Sequence, residues 1–136
     1  MLTANLIHPE IIHQLARCGH GSRILIADGN YPLAEKTGSA EKIYLGLCPG
    51  IPTVTDVLHA LHSVCAFEKA EVMLPEDGST PEIFEEFRRE LPGLPLEGLG
   101  RFAFYDACMK EGALVFAVST GEKRTYANIL LTVGCA

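Results

Sequence analysis

A chain of 136 residues, 48% of them hydrophobic, fits one domain that buries its own core without staples. A formal net charge of −6 leaves no electrostatic footprint for a phosphate backbone, and no apolar run nears the ~20 residues that cross a bilayer, so nucleic acid and membrane are excluded as partner classes. The opening MLTANLIHPEII has no cationic region followed by a long apolar stretch, and five cysteines, an odd count without a CxxC, point to reduced thiols in a cytoplasmic protein.

The first element is a helix from His8 to Cys18, with Pro9 at its first position and Gly19 after its end. Ile11, Ile12, Leu15 and Ala16 fall on one face and Glu10, His13, Gln14 and Arg17 on the other. Arg23 to Ala27 is a short apolar run before Asp28-Gly29-Asn30 and predicts a buried strand. Tyr31 to Ala40 is a loop, and Ile43 to Leu47 a second strand closed by Pro49-Gly50. Thr53 to Ala66 predicts a helix with the stripe Val54, Val57, Leu58, Leu61, Val64 and Cys65.

Lys69 to Leu74 is a third strand. Thr80-Pro81-Glu82 has the chemistry of a helix start, with Thr80 as cap, and that helix runs to about Leu91. Pro92 to Gly100 is a Gly/Pro-rich connection. Arg101 to Lys110 predicts a short helix, with Phe102, Tyr105 and Met109 on one face. Ala113 to Val118 and Ile129 to Val133 are the last strands, separated by the polar segment Ser119 to Asn128, and are candidates for an antiparallel hairpin. Strands alternating with helices predict a single α/β domain over 1–136, with a largely parallel or mixed sheet and helices packed on it.

Three places carry candidate chemistry. His20 lies between Gly19 and Gly21, where an open backbone admits a ligand and an imidazole of pKa near ~6.5 can exchange protons. Taken alone, it reads more readily as a loop histidine with no role. Asp28 stands just past an apolar strand, where α/β sheets bind ligands, although Asp-Gly-Asn is also ordinary turn chemistry. Arg101, Tyr126 and Asn128 offer donors and acceptors for several hydroxyls. Separately they read as a helix start, a packing residue and a strand-edge residue. His59 and His62, three apart and followed by Glu68, have the spacing of two metal ligands but lack a third and read as polar surface, so no metal is expected. Neither GxGxxG nor GxxxxGK[ST] occurs.

Taken together, HPEIIHQLARCGHGSRILIADGNYP, GIPTVTDVL, RFAFYDA and YANILLTVG resemble the fucose mutarotase / ribose pyranase family across most of the chain. The resemblance implies an isomerase that interconverts ring forms of a free monosaccharide without a cofactor. It implies His20 as general acid/base, and Asp28, Arg101, Tyr126, the backbone at Ala127 and Asn128 as sugar-binding groups. RFAFYD is similar to the fucose branch, whereas the ribose branch tends to carry a His where Arg101 stands. Ser22 replaces the acid usual after GHG in the fucose branch, and YAN is closer to the ribose branch. L-Fucose is thus the expected substrate, with D-ribose, or sugar binding without catalysis, as alternatives. An extended chain from His20 to Asp28 spans up to ~27 Å. The expectation is that the site lies between subunits of a homo-oligomer, as the family's ring-shaped assemblies suggest, or that the Gly19–Ser22 loop curls over the sheet.

Overall fold

The apolar run Arg23–Ala27 lies near the middle of a six-stranded sheet in the computed structural model, which describes residues 1–136. In chain order the elements are α1 (Pro9–Ala16), β1 (Arg23–Ala27), β2 (Glu41–Tyr44), α2 (Val54–His62), β3 (Phe67–Leu74), α3 (Ile83–Glu90), β4 (Leu96–Gly100), α4 (Arg101–Met109), β5 (Phe116–Ser119) and β6 (Ile129–Val133). The strand order is β2-β5-β1-β6-β3-β4. β5 is parallel to β1 and β2, β3 is parallel to β4, and β6 is antiparallel to both of its neighbours, β1 and β3. Five strands therefore point one way and β6 the other, the largely parallel α/β sheet that the alternation of elements predicts.

Successive side chains leave a strand on opposite faces. In β1, Ile24 and Ile26 enter one core cluster and Leu25 and Ala27 the other. The larger cluster receives the first three helices through Ile11, Leu58, Leu61, Ile83 and Phe87. The smaller receives α4 through Phe104 and Cys108, with Tyr31 and Leu33 from the loop after β1. Burial on both faces is why the central strand is apolar throughout instead of alternating. Each large side chain so buried stabilises the fold by about 1.5–3 kcal/mol relative to exposure. The helix starts are capped locally: His8 Nδ1 accepts from the Ile11 N–H at 3.4 Å, and Thr53 and Asp56 form a reciprocal capping box. No helix is long and apolar enough to cross a membrane.

Several expectations need correction. The Pro92–Gly100 connection contains β4, an edge strand along β3. Its glycines suggest a loop, yet at Gly98 the Leu74 side chain lies over the strand, 2.5 Å from where a Cβ would stand, so any larger residue would have to displace that leucine. The last two strands are not a hairpin, because β1 lies between them. β2 ends at Tyr44, before most of the expected Ile43–Leu47, and α2 ends at His62, leaving Val64 exposed. α3 begins at Ile83 with Glu82 in the cap position, so Thr80 caps nothing. α4 follows β4 without a loop and turns Phe104 and Cys108 inward, leaving Phe102 exposed. Of its expected face, Tyr105 packs edge-on against Tyr31 with ring centroids 5.4 Å apart. In α1, Gln14 is buried and Ala16 is exposed, and the Gln14 side-chain oxygen accepts from Arg17 Nη1 at 3.2 Å.

Candidate active site

Because β6 alone runs backwards, its first residues meet the C-terminal ends of β1 and β3. This brings Asn128, just before β6, beside Asp28, just after β1. The two side chains are almost fully buried, at 2% and 3% exposed, and clasp each other. The Asp28 backbone N–H donates to Asn128 Oδ1 at 2.9 Å, and Asn128 Nδ2 donates back to Asp28 Oδ2 at 3.1 Å. Oδ2 also accepts the Ala127 N–H at 3.1 Å, and Oδ1 accepts the Asn30 N–H at 2.8 Å. Three of the roughly four lone-pair positions of this carboxylate are thereby occupied. Burial pushes the Asp28 carboxyl above its ordinary range, and these N–H donors pull against that shift.

The segment between β5 and β6 is held tightly. The Thr120 N–H donates to the Ala27 carbonyl at 3.1 Å and the Gly29 N–H to the Glu122 carbonyl at 2.9 Å, so the segment closes over the end of β1. Arg124 then bonds both carboxylate oxygens of Glu122 at 3.0 and 2.9 Å, and reaches Glu86 of α3 at 2.6 Å. The Arg124 guanidinium keeps the Glu86 carboxyl below its usual range. At Glu122, burial works upward, but the Arg124 bonds prevail and hold it low. This clamp supports Tyr126, whose φ of 60° is the one left-handed backbone among the non-glycine residues. Such a conformation costs on the order of 1–3 kcal/mol and persists where surrounding structure over-determines it. Here it aims the phenol at Arg101, the first residue of α4, whose Nη2 donates to Tyr126 Oη at 3.4 Å.

Asp28, Arg101, Tyr126 and Asn128 thus line one cleft of about 160 Å³. Asn30, Tyr31, Met73, Tyr105 and Thr125 complete it, none of which the sequence marks as a site residue. Two carried a usable signal: Asn30 shares the Asp-Gly-Asn turn, and Tyr105 follows Arg101 by one helical turn. Arg124, Glu122 and Glu86 were also missed, since a contact between α3 and a distant loop leaves no local pattern. A larger, open cavity of about 550 Å³ shares Thr125 and Tyr126 with this cleft. The smaller cleft has the convergent buried polar groups that orient a small polar molecule.

His20 is not in this cleft. It precedes β1, whereas Asp28 follows it, and β1 alone is about 17 Å long at about 3.3 Å per residue. The Gly19–Ser22 loop does not curl over the sheet: the Gly21 N–H donates to the Val133 carbonyl at the far end of β6, at 2.9 Å. His20 is 59% exposed at its side chain and faces Glu68, with Nε2 2.9 Å from Oε2. Glu68 thus pairs with His20, whereas His59 and His62 turn to Glu90 at 3.1 and 3.5 Å.

The sequence profile of the RbsD / FucU transport protein family matches residues 1–136. The chain is 32% identical over 141 aligned positions to a fucose mutarotase of Bos taurus, covering 95% of this chain and 89% of that one. It is 29% identical over 129 residues to a D-ribose pyranase of Chloroflexus aggregans, covering 95% and 94%. The fold superposes on Bacillus subtilis RbsD complexed with D-ribose at a TM-score of 0.86 and 26% identity, covering 100% of this chain and 99% of that one. These matches cover all or nearly all of the chain, and the chain belongs to the RbsD / FucU family.

Proposed function

We propose that this protein is a cofactor-independent monosaccharide mutarotase acting on L-fucose, the alternative being a D-ribose pyranase. The observation that carries this is the convergence of Asp28, Asn128, Arg101 and Tyr126 on one monosaccharide-sized cleft, in a chain whose relatives are named for ring-form isomerisation of fucose and ribose. A buried carboxylate, a guanidinium and a phenol can bind neighbouring hydroxyls of a sugar and hold it in one orientation. The RFAFYD stretch that supplies Arg101 resembles the fucose branch and favours L-fucose.

His20 is the proton-exchanging group. It takes the proton of the anomeric hydroxyl, and the freed electron pair forms the open-chain carbonyl. The bond from the anomeric carbon to the ring oxygen breaks, and that oxygen gains a proton from Tyr126 or a water. Rotation about the adjacent bond and attack on the other carbonyl face reverse these transfers and give the other anomer. Since one subunit holds His20 and Asp28 at opposite ends of β1, the site is completed by His20 of a second subunit in a ring-shaped homo-oligomer. The separation within one subunit also favours a second reading, a sugar-binding protein that does not catalyse.

Saturation-transfer NMR on L-fucose and on D-ribose separates these readings. Magnetisation passing between anomeric protons only in the presence of protein supports the mutarotase, and the sugar with faster transfer is the substrate. Binding without transfer supports the non-catalytic reading. Exchange per subunit should fall on dilution to monomers, and a constant value would remove the shared site.

A further inference from the structure

We infer that Glu68 is the positioning residue of His20, holding its neutral ring with the proton on Nε2 so that Nδ1 is the atom that accepts the substrate proton. The inference rests on the assignment of His20 as the acid/base and adds which residue orients it and which nitrogen works.

Three strand ends meet at this point. The Gly21 N–H donates to the Val133 carbonyl at the end of β6, and the Gly134 N–H donates to the Ala66 carbonyl just before β3, both at 2.9 Å. The turn that carries His20 is therefore tied, through β6, to the start of β3. The β3–β6 register shifts between Phe67 and Lys69, which leaves Glu68 as the extra residue of a β-bulge. Bulges re-aim a side chain that the regular pleat would point elsewhere, and they are common beside active sites. Gly134 leaves the space this needs, since a Cβ there would lie 3.2 Å from Glu68 Cβ. The re-aimed carboxylate brackets one ring nitrogen, with Nε2 at 3.0 Å from Oε1 and 2.9 Å from Oε2. Both side-chain hydrogen bonds of His20 use that nitrogen.

A carboxylate only accepts hydrogen bonds, so a neutral imidazole facing it carries its proton on Nε2 and presents a bare lone pair at Nδ1. When Nδ1 takes the proton of the anomeric hydroxyl, the ring becomes a cation, and the Glu68 charge stabilises it. The same logic of a base oriented by a third group runs through nucleophile–base–orienter sites. With 44% of its side chain exposed and 48 residues separating it from His20, Glu68 shows no sequence signal of this role. The contact is of little value to stability at such exposure. Its use is to select a tautomer.

The test compares Glu68→Gln, Glu68→Asp and His20→Ala in the assembled protein. Exchange kinetics are measured on the sugar that the wild type turns over, and 15N spectra are recorded at pH 8 on protein labelled at histidine, with His20 assigned by its loss in His20→Ala. Wild type should show a protonated Nε2 and a bare Nδ1. Glu68→Gln, whose amide can donate as well as accept, should show a mixed tautomer, with kcat down roughly tenfold and KM within about twofold, short of the ~10²–10⁴ that a full acid/base group contributes. Glu68→Asp, still acceptor-only, should keep the wild-type tautomer and recover part of kcat. An unchanged tautomer and kcat in Glu68→Gln, with exchange lost in His20→Ala, would overturn the role of Glu68 alone. Full exchange in His20→Ala would overturn the assignment of His20, and the role of Glu68 with it.

Discussion

The two ends of β1 are built on opposite plans. At the C-terminal end, Asp28 and Asn128 are buried, mutually bonded and braced by a loop pinned to α3 through Arg124. At the N-terminal end, His20 stands in the open with one side-chain partner, Glu68. The buried end must be rigid, because its polar groups are desolvated and each needs a fixed partner. On the proposed reading the open end exchanges protons, needs access to a substrate and acquires its dry surroundings only when something covers it. Stability and chemistry should therefore respond oppositely to changes at the two ends.

The largest effect is expected for Asp28→Ala. It strips partners from the Asn30 and Ala127 N–H groups and from Asn128 Nδ2, lowering stability by about 2–4 kcal/mol and removing sugar binding. Urea unfolding and titration with sugar measure both losses. His20→Ala should do the reverse: exchange falls by about 10²–10⁴-fold, while stability moves by no more than ~0.5 kcal/mol and sugar binding persists. A comparable stability loss in both variants would erase the contrast between the ends.

Arg124→Ala sharpens the comparison from outside the cleft. It should lower stability by about 1–2 kcal/mol, between the values for exposed and buried ion pairs, because Arg124 is partly exposed while Glu122 is buried. The same variant tests pH dependence. Glu86 and Glu122 have folded pKa values below their unfolded ones, so their contribution is present above the unfolded value near ~4 and is lost as pH falls through the folded one. Urea midpoints from pH 6 to pH 2 should fall less steeply in Arg124→Ala than in wild type.

The smallest effect is expected from Asp28 itself as pH changes. Its folded pKa is raised, so the folded state binds a proton more tightly than the unfolded chain. Stability from this group is fully present below the unfolded value near ~4 and declines as pH rises through the folded value. Sugar affinity should follow the ionised carboxylate and weaken on acidification through that raised value. The difference between wild type and Asp28→Asn in urea midpoint, followed against pH, measures the stability part.

Much of the architecture is legible locally. The apolar run of β1 before Asp28, the Thr53/Asp56 capping box and the Pro9 helix start each follow from neighbours along the chain. The candidate residues of the cleft are legible too, through Asp28 at a strand end and through the family resemblance of RFAFYDA and YAN. β4 was hidden because Gly98 reads as a turn until Leu74 is seen lying over it. The supporting clamp of Arg124, Glu122 and Glu86 was hidden because it joins residues 38 positions apart.

By itself the sequence determined the class of fold and the buried strands, because hydrophobic period, caps and turn chemistry act over a few residues, and the family resemblance added Asp28, Arg101, Tyr126 and Asn128 of the cleft. Only the tertiary structure decided strand order and direction. The backward run of β6 sets Asn128 against Asp28, and the length of β1 keeps His20 away from both. Those outcomes depend on which strands pair at long range, and pairing is selected by the burial of two whole sheet faces rather than by any local segment.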